Sequence, residues 1–169
     1  MGGACLCTLN GPTNHAPVER RDDVLVYTGA PLKKPLEVTG FVKLTAFVAS
    51  DAADTDFVAR LCDVYPDGRS IVLCDGVLRM RFREGLDRER MMTPGKTYEL
   101  EIDMGVTSNV FLPGHCLRLE ITSSCFPRWD RNLNTGEPIA TARRMKIARQ
   151  TVFHSSACPS RLRLPVIPR

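Results

Sequence analysis

The sequence predicts an all-β protein, a jelly-roll β-sandwich of two antiparallel sheets. Apolar and polar residues alternate with period two in runs near residues 36–50, 78–83, 97–104 and 116–124. That is the spacing of strands with one buried and one wet face. Twelve Gly and twelve Pro fall between the runs as punctuation, supplying turn chemistry at short intervals. No stretch carries a convincing amphipathic-helix pattern. About nine short strands joined by turns fit two packed sheets, and a jelly roll suits that count.

The most informative stretch is residues 54–84, DTDFVARLCDVYPDGRSIVLCDGVLRMRFRE. A strand over 57–65 enters the turn Pro66-Asp67-Gly68, where Pro presets φ and Gly frees it. A second strand over 70–83 leaves it, with Leu78, Met80 and Phe82 on one side and Arg79, Arg81 and Arg83 on the other. The pair reads as a long hairpin with a wet arginine face.

The remaining elements follow in order. Residues 1–21 hold no periodic pattern and form an extended lead-in, so the sandwich proper spans 22–169. The Met1-Gly2-Gly3 start is compatible with a position inside a longer protein. A short strand ends at Thr28, and a long one over 36–50 places Val42, Leu44, Ala46 and Val48 on one face. Residues 97–104 set Tyr98, Leu100, Ile102 and Met104 against Glu99, Glu101 and Asp103, and a separate apolar segment covers 106–112. Residues 116–124 set Leu117, Leu119 and Ile121 against Arg118, Glu120 and Thr122. Residues 126–136, FPRWDRNLNTG, form a loop holding the sole Trp; strands over 145–154 and 161–167 close the chain. No repeat of solenoid or propeller length is visible.

At 169 residues the chain is long enough to bury a core without disulfides or metals. A formal charge of +4 is too mild and dispersed for a nucleic-acid partner. No apolar run reaches the length of a membrane-spanning helix, and no basic-then-apolar leader precedes Gly2. Seven cysteines, an odd number scattered through strands, read as reduced thiols in a cytoplasmic setting rather than a secreted disulfide framework.

Catalytic motifs are absent. There is no G-x-S-x-G elbow, no phosphate-binding glycine loop and no H-E-x-x-H. His115 beside Cys116 invites a nucleophile pair, yet adjacent strand residues point apart; a turn histidine beside a core thiol is the expectation. Cys5-x-Cys7 lacks a second ligand pair of matching spacing, so no metal site and no cofactor are expected. Asp51, Asp54, Asp56 and Asp63 suggest converging calcium ligands, against the simpler expectation that Asp54 and Asp56 close Asx turns. The arginine stripe could hold phosphate; a solvated or interdomain face paired with carboxylates is the simpler account. Trp129 is either a sugar-stacking platform or a residue that caps one end of the sandwich or packs on a neighbouring domain.

Four blocks carry a family resemblance: the central hairpin, LEVTG at 36–40, SNVFLPGH at 108–115 and SSCFPRWDRNLNTG at 123–136. With RDDVLVYT at 21–28 and the closing LRLPVIPR, they resemble the C-terminal domain of the cocaine-esterase and X-prolyl dipeptidyl-peptidase (CocE/NonD) serine hydrolases. The resemblance implies a non-catalytic jelly roll, galactose-binding-domain-like, that partners an α/β-hydrolase catalytic domain in the same or a separate chain. The serine, aspartate and histidine of such hydrolases match no position here, so catalysis by this chain alone is not expected. The segment after Gly2-Gly3 is implied to run along the hydrolase core, with Leu6 and Cys7 as acyl-pocket-lining residues. Homo-oligomerisation through uncovered apolar surface is a further expectation. A stand-alone carbohydrate-binding or interaction module is the alternative.

Overall fold

Residues 11–168 are described by the computed structural model of the chain. Ten antiparallel strands follow one another: β1 (Leu25–Thr28), β2 (Leu36–Ser50), β3 (Asp56–Val64), β4 (Ser70–Arg79), β5 (Tyr98–Phe111), β6 (Cys116–Thr122), β7 (Gln150–Ser155), β8 (Cys158–Pro159), β9 (Arg161–Arg163) and β10 (Val166–Ile167). They form the expected jelly-roll sandwich. One sheet has the order β1-β6-β3-β4. The other is built on β2, which pairs with β5 along one edge and with β10, β9 and β7 in turn along the other. Val38, Val42, Leu44, Ala46 and Val48 of β2 meet Phe57, Ala59 and Leu61 of β3 in the shared core.

Several boundaries differ from the sequence expectation, each for a local reason. Tyr98–Phe111 forms one strand where two segments, 97–104 and 106–112, were expected, because Gly105 adopts φ 76° and absorbs an extra residue. Phe41 pairs with Val106 and Lys43 with Asp103, so Met104 and Gly105 together face Val42, a glycine bulge that bends the strand without ending it. The hairpin's second strand stops at Arg79, and Met80–Phe82 is a 3-10 turn. The strand expected over 145–154 begins only at Gln150, and the one over 161–167 divides into β9 and β10.

The arginine face is not wet. The Arg81 side chain is 1% exposed, and its Nε donates to Asp54 Oδ2 at 2.7 Å. Its Nη1 lies 3.2 Å from Glu89 Oε1, and its Nη2 donates to the Glu137 carbonyl at 2.9 Å. Arg79, directly opposite Asp56 across the hairpin, grips that carboxylate with two bonds of 2.8 Å and also donates to the Asp130 carbonyl. Asn132 donates to both Asp54 and Asp56 at 2.8 Å. The segment that supplies Asn132 and the Glu137 carbonyl lies over Arg81, so the face that alternation assigns to water is covered. Arg83 donates to the Met80 and Arg90 carbonyls and lies over the Tyr98 ring. Residues 125–149 thus lie over the hairpin, fastened by its own cations.

The lead-in is fastened too, on the same sheet. The backbone amide of His15 donates to Ser70, that of Val72 donates to Thr13, and Asn14 bridges Ile71. Asn14 Oδ1 accepts from the amides of Ala16 and Ser70.

Two consequences can be measured. A Cβ at Gly76 would fall 2.8 Å from the Asp103 carbonyl carbon and closer still to its oxygen, so Gly76→Ala forces β4 away from β5. It should cost about 2 kcal/mol or more in urea unfolding; an unchanged midpoint would show that the sheets separate freely here. Arg81→Met leaves Asp54 buried without its counter-charge and should cost about 3–5 kcal/mol. Arg69→Met, which breaks the exposed pair with Asp67, should leave the midpoint where it is. Equal effects from the two arginines would sink the buried-ion account.

Candidate functional site

Polar chemistry in the described residues gathers in three places, all touching β3. All nine residues of β3 are buried, Asp56, Arg60 and Asp63 among them. Buried charges need partners, and each partner comes from a different element.

The first place is the Asp54–Asp56–Arg79–Arg81–Asn132 cluster at the open end of the hairpin. Its carboxylates neither converge on a calcium position nor close Asx turns. Asp54 Oδ1 accepts the Arg81 backbone amide at 2.9 Å and Oδ2 its guanidinium. Asp51 stands apart, accepting the Arg149 amide at 2.9 Å. The loop's aromatic is capped by a cation: Arg128, paired with Asp75, lies 4.3 Å over the Trp129 ring.

The second place is at the opposite end of β3. His115 Nδ1 donates to Asp63 Oδ1 at 2.8 Å, and its ring packs at 4.4 Å on Tyr65, whose other contact is Arg69. A carboxylate thus orients an imidazole, half of a general-base arrangement. Cys116, the sequence neighbour, is only half-buried rather than the expected core thiol.

The third place is where the lead-in meets the sheet, and the sequence pattern missed it. Glu120 was expected on a wet face; it is fully buried. It pairs across the sheet with Arg60, whose Nη1 comes within 3.5 Å of Oε2. His15 Nδ1 donates to Oε2 at 3.2 Å, and the Cys62 thiol donates to Oε1 at 3.2 Å. Burial alone would raise the Glu120 pKa; the hydrogen bonds from His15 and Cys62 and the charge of Arg60 outweigh it and hold the carboxyl below its ordinary range. Burial, with Glu120 beside it, pushes the Cys62 thiol far up. Glu19 closes the cluster, its Oε2 taken by Arg118. The signal that could have found this place is VARLCDV itself: an arginine and an aspartate inside an apolar strand demand partners on the neighbouring strand.

None of the three is a nucleophilic site. Cys62 and His15 contact the same carboxylate rather than each other, and neither is open to substrate. Leu6 and Cys7, the expected pocket-lining pair, lie outside the described residues, as does Cys5. Among the described residues no helix is long and apolar enough to cross a membrane.

Comparison with known proteins agrees with this architecture. Residues 8–163 match the X-Pro dipeptidyl-peptidase C-terminal non-catalytic domain. The chain is 49% identical over 162 residues to cocaine esterase of Rhodococcus sp. (strain MB1 Bresler), covering 95% of this chain and 28% of that one. It is 36% identical over 118 residues to a putative serine esterase of Mycobacterium bovis, covering 60% of this chain and 19% of that one. An aminopeptidase from a Thaumarchaeota archaeon superposes with a TM-score of 0.90 at 31% identity, over 93% of this chain and 28% of that one. An alpha-amino acid ester hydrolase superposes with a TM-score of 0.89 at 28% identity, over 92% and 27%. The chain thus spans between about a fifth and little more than a quarter of the length of these larger proteins. It belongs to the X-Pro dipeptidyl-peptidase C-terminal domain family of CocE/NonD hydrolases, the non-catalytic β-sandwich of that group.

Proposed function

We propose that the chain acts as the structural partner of an α/β-hydrolase catalytic domain, stabilising that core and shaping its acyl pocket. The observation that carries this is the match over residues 8–163 to a non-catalytic domain, in a chain whose buried His15, His115, Cys62, Asp54, Asp56, Asp63 and Glu120 are tied into structural pairs. The parent reaction is ester or amide hydrolysis through an acyl-serine, with the serine, its base and the oxyanion donors on the catalytic domain. Residues 1–21 are the segment that reaches the catalytic domain, and Leu6 and Cys7 line its pocket. Residues 22–169 form the galactose-binding-domain-like unit. The docking of residues 13–15 on β4 supports this, because a lead-in fixed at its base can present its start in a set place. The five free cysteines among the described residues support a reducing, cytoplasmic setting. Self-association goes with the exposed Phe41 and Val106, register partners on β2 and β5. The carbohydrate-module alternative has less support, because a guanidinium occupies the Trp129 ring.

Grafting tests the proposal. The chain alone should not turn over a para-nitrophenyl ester, while Rhodococcus cocaine esterase carrying this chain in place of its own C-terminal domain should. In that chimera Leu6→Ala or Cys7→Ala should shift kcat/KM by about tenfold. Turnover by the isolated chain would overturn the non-catalytic assignment; unchanged kinetics in both variants would remove the pocket role.

Thiol labelling gives an independent check. Burial, reinforced by Asp75, pushes the Cys74 thiol up to about 12, and Cys62 is shifted the same way. Both should resist alkylation of the native chain at mildly alkaline pH, with Cys116 and Cys158 labelling first. Fast labelling of Cys62 or Cys74, located by peptide mass spectrometry, would mean an activated nucleophile exists.

A further inference from the structure

Unpaired buried polar atoms concentrate in one place. Thr13 Oγ1, His15 Nε2, Glu19 Oε1 and Ser70 Oγ accept or donate no geometrically good hydrogen bond, and Arg60 Nη1 has only its 3.5 Å ion pair with Glu120; all belong to the junction of lead-in and sheet. Elsewhere among the described residues only Asp75 Oδ2 and Asn109 Nδ2 share that state. Buried polar groups ordinarily find partners, and a cluster of orphans marks the place of a missing one.

The donor set identifies that partner. Glu19, Cys62 and Glu120 each offer a ligand atom, and these atoms lie within 4.8 Å of one another. The Cys62 sulfur stands 3.2 Å from Glu120 Oε1. Two ligands of one tetrahedral zinc are separated by about 3.3–3.6 Å, given Zn–O and Zn–S bonds of about 2.1 and 2.3 Å. The Glu19 side chain is 8% exposed; Arg118 takes Oε2 and leaves Oε1 without a partner. His15 holds Glu120 from behind through Nδ1. Carboxylate ligands held by outer hydrogen bonds in this way are the habit of metal sites. Ser70 Oγ lies beside the Cys62 thiol, close enough to act on it as a hydrogen-bonding neighbour.

We propose that Glu19, Cys62 and Glu120 form a structural site for a thiophilic divalent cation of the zinc class, which clamps the lead-in onto the sandwich. On binding, the Cys62 S–H bond breaks, the proton leaves to solvent and the sulfur's electron pair forms the metal bond. Two carboxylates and one thiolate bring three negative charges; the cation, Arg60 and Arg118 bring four positive. One positive unit is left over, so the fourth position has room for a neutral ligand or a single anion. Sequence spacing cannot reveal the site, because its ligands come from the 3-10 turn at Val18–Arg20, from β3 and from β6.

The test is titration of the full chain, reduced with a phosphine, with zinc by calorimetry and with cobalt by absorption. One equivalent should bind, zinc should raise the melting temperature, and cobalt should show a thiolate charge-transfer band with tetrahedral ligand-field intensity. Glu19→Gln should weaken binding by at least about tenfold. Cys62→Ser should abolish the charge-transfer band, and a Cys5→Ser, Cys7→Ser double variant should keep it. Circular dichroism of each variant confirms folding; Glu19→Gln, near the edge of the cluster, serves if Cys62→Ser does not fold. The proposal is overturned if no equivalent binds, in which case water fills the cluster. It is equally overturned if binding survives Glu19→Gln undiminished or disappears with Cys5 and Cys7.

Discussion

A strand buried on both faces that nevertheless carries Asp56, Arg60 and Asp63 sets the terms for the rest of this fold. Each of those charges costs several kcal/mol to bury alone, so each must be met by an opposite charge or a donor. Asp56 is met by Arg79 of the adjoining strand, Arg60 by Glu120 of the strand on the other side, and Asp63 by His115 just before that strand. The hydrophobic core between the sheets accounts for one face of β3 only. The other face is kept dry by two irregular segments, the lead-in and the loop at 125–149, held in place through the partners of Arg60 and Asp56 respectively.

This division explains which features were legible in the sequence. Period-two alternation reports a strand with one wet face, so β2, the first half of β5 and the hairpin turn could be read directly. It fails where both faces are covered. Glu120 and Arg81 occupied positions that alternation assigns to water, and both are buried because a lead-in or loop distant in sequence folds over them. Gly105 misled in a different way. A glycine after an alternating run normally ends a strand, whereas here its φ of 76° lets one extra residue bulge out and pairing resume. The His15–Glu120 contact joins residues 105 apart, and no local pattern reports such a pair. What local pattern could have flagged was its cause, the arginine and aspartate within VARLCDV.

Family resemblance and physical pattern contributed different things. The resemblance lay in blocks such as SSCFPRWDRNLNTG, whose residues do identifiable work: Asn132 joins Asp54 to Asp56, and Arg128 joins Asp75 to the Trp129 ring. Such a loop is poorly predicted by propensity because its conformation is dictated by the hairpin beneath it. Its specificity resides in polar contacts that only the folded sheet makes available.

The same ion economy explains why a chain containing histidine–carboxylate and thiol–carboxylate contacts is chemically quiet. A nucleophilic thiol needs a base that takes its proton and a position open to substrate. Cys62 has instead a carboxylate that accepts its hydrogen bond, disfavours the thiolate by its charge and is already shared with His15. His115 has an orienting carboxylate, yet its ring is packed on Tyr65 and its side chain is only 8% exposed. In each case the groups that catalysis would combine are arranged to satisfy one another. Opening either pair to a substrate would uncover a buried charge, so the arrangement that makes these residues inert is the one that keeps the sandwich closed.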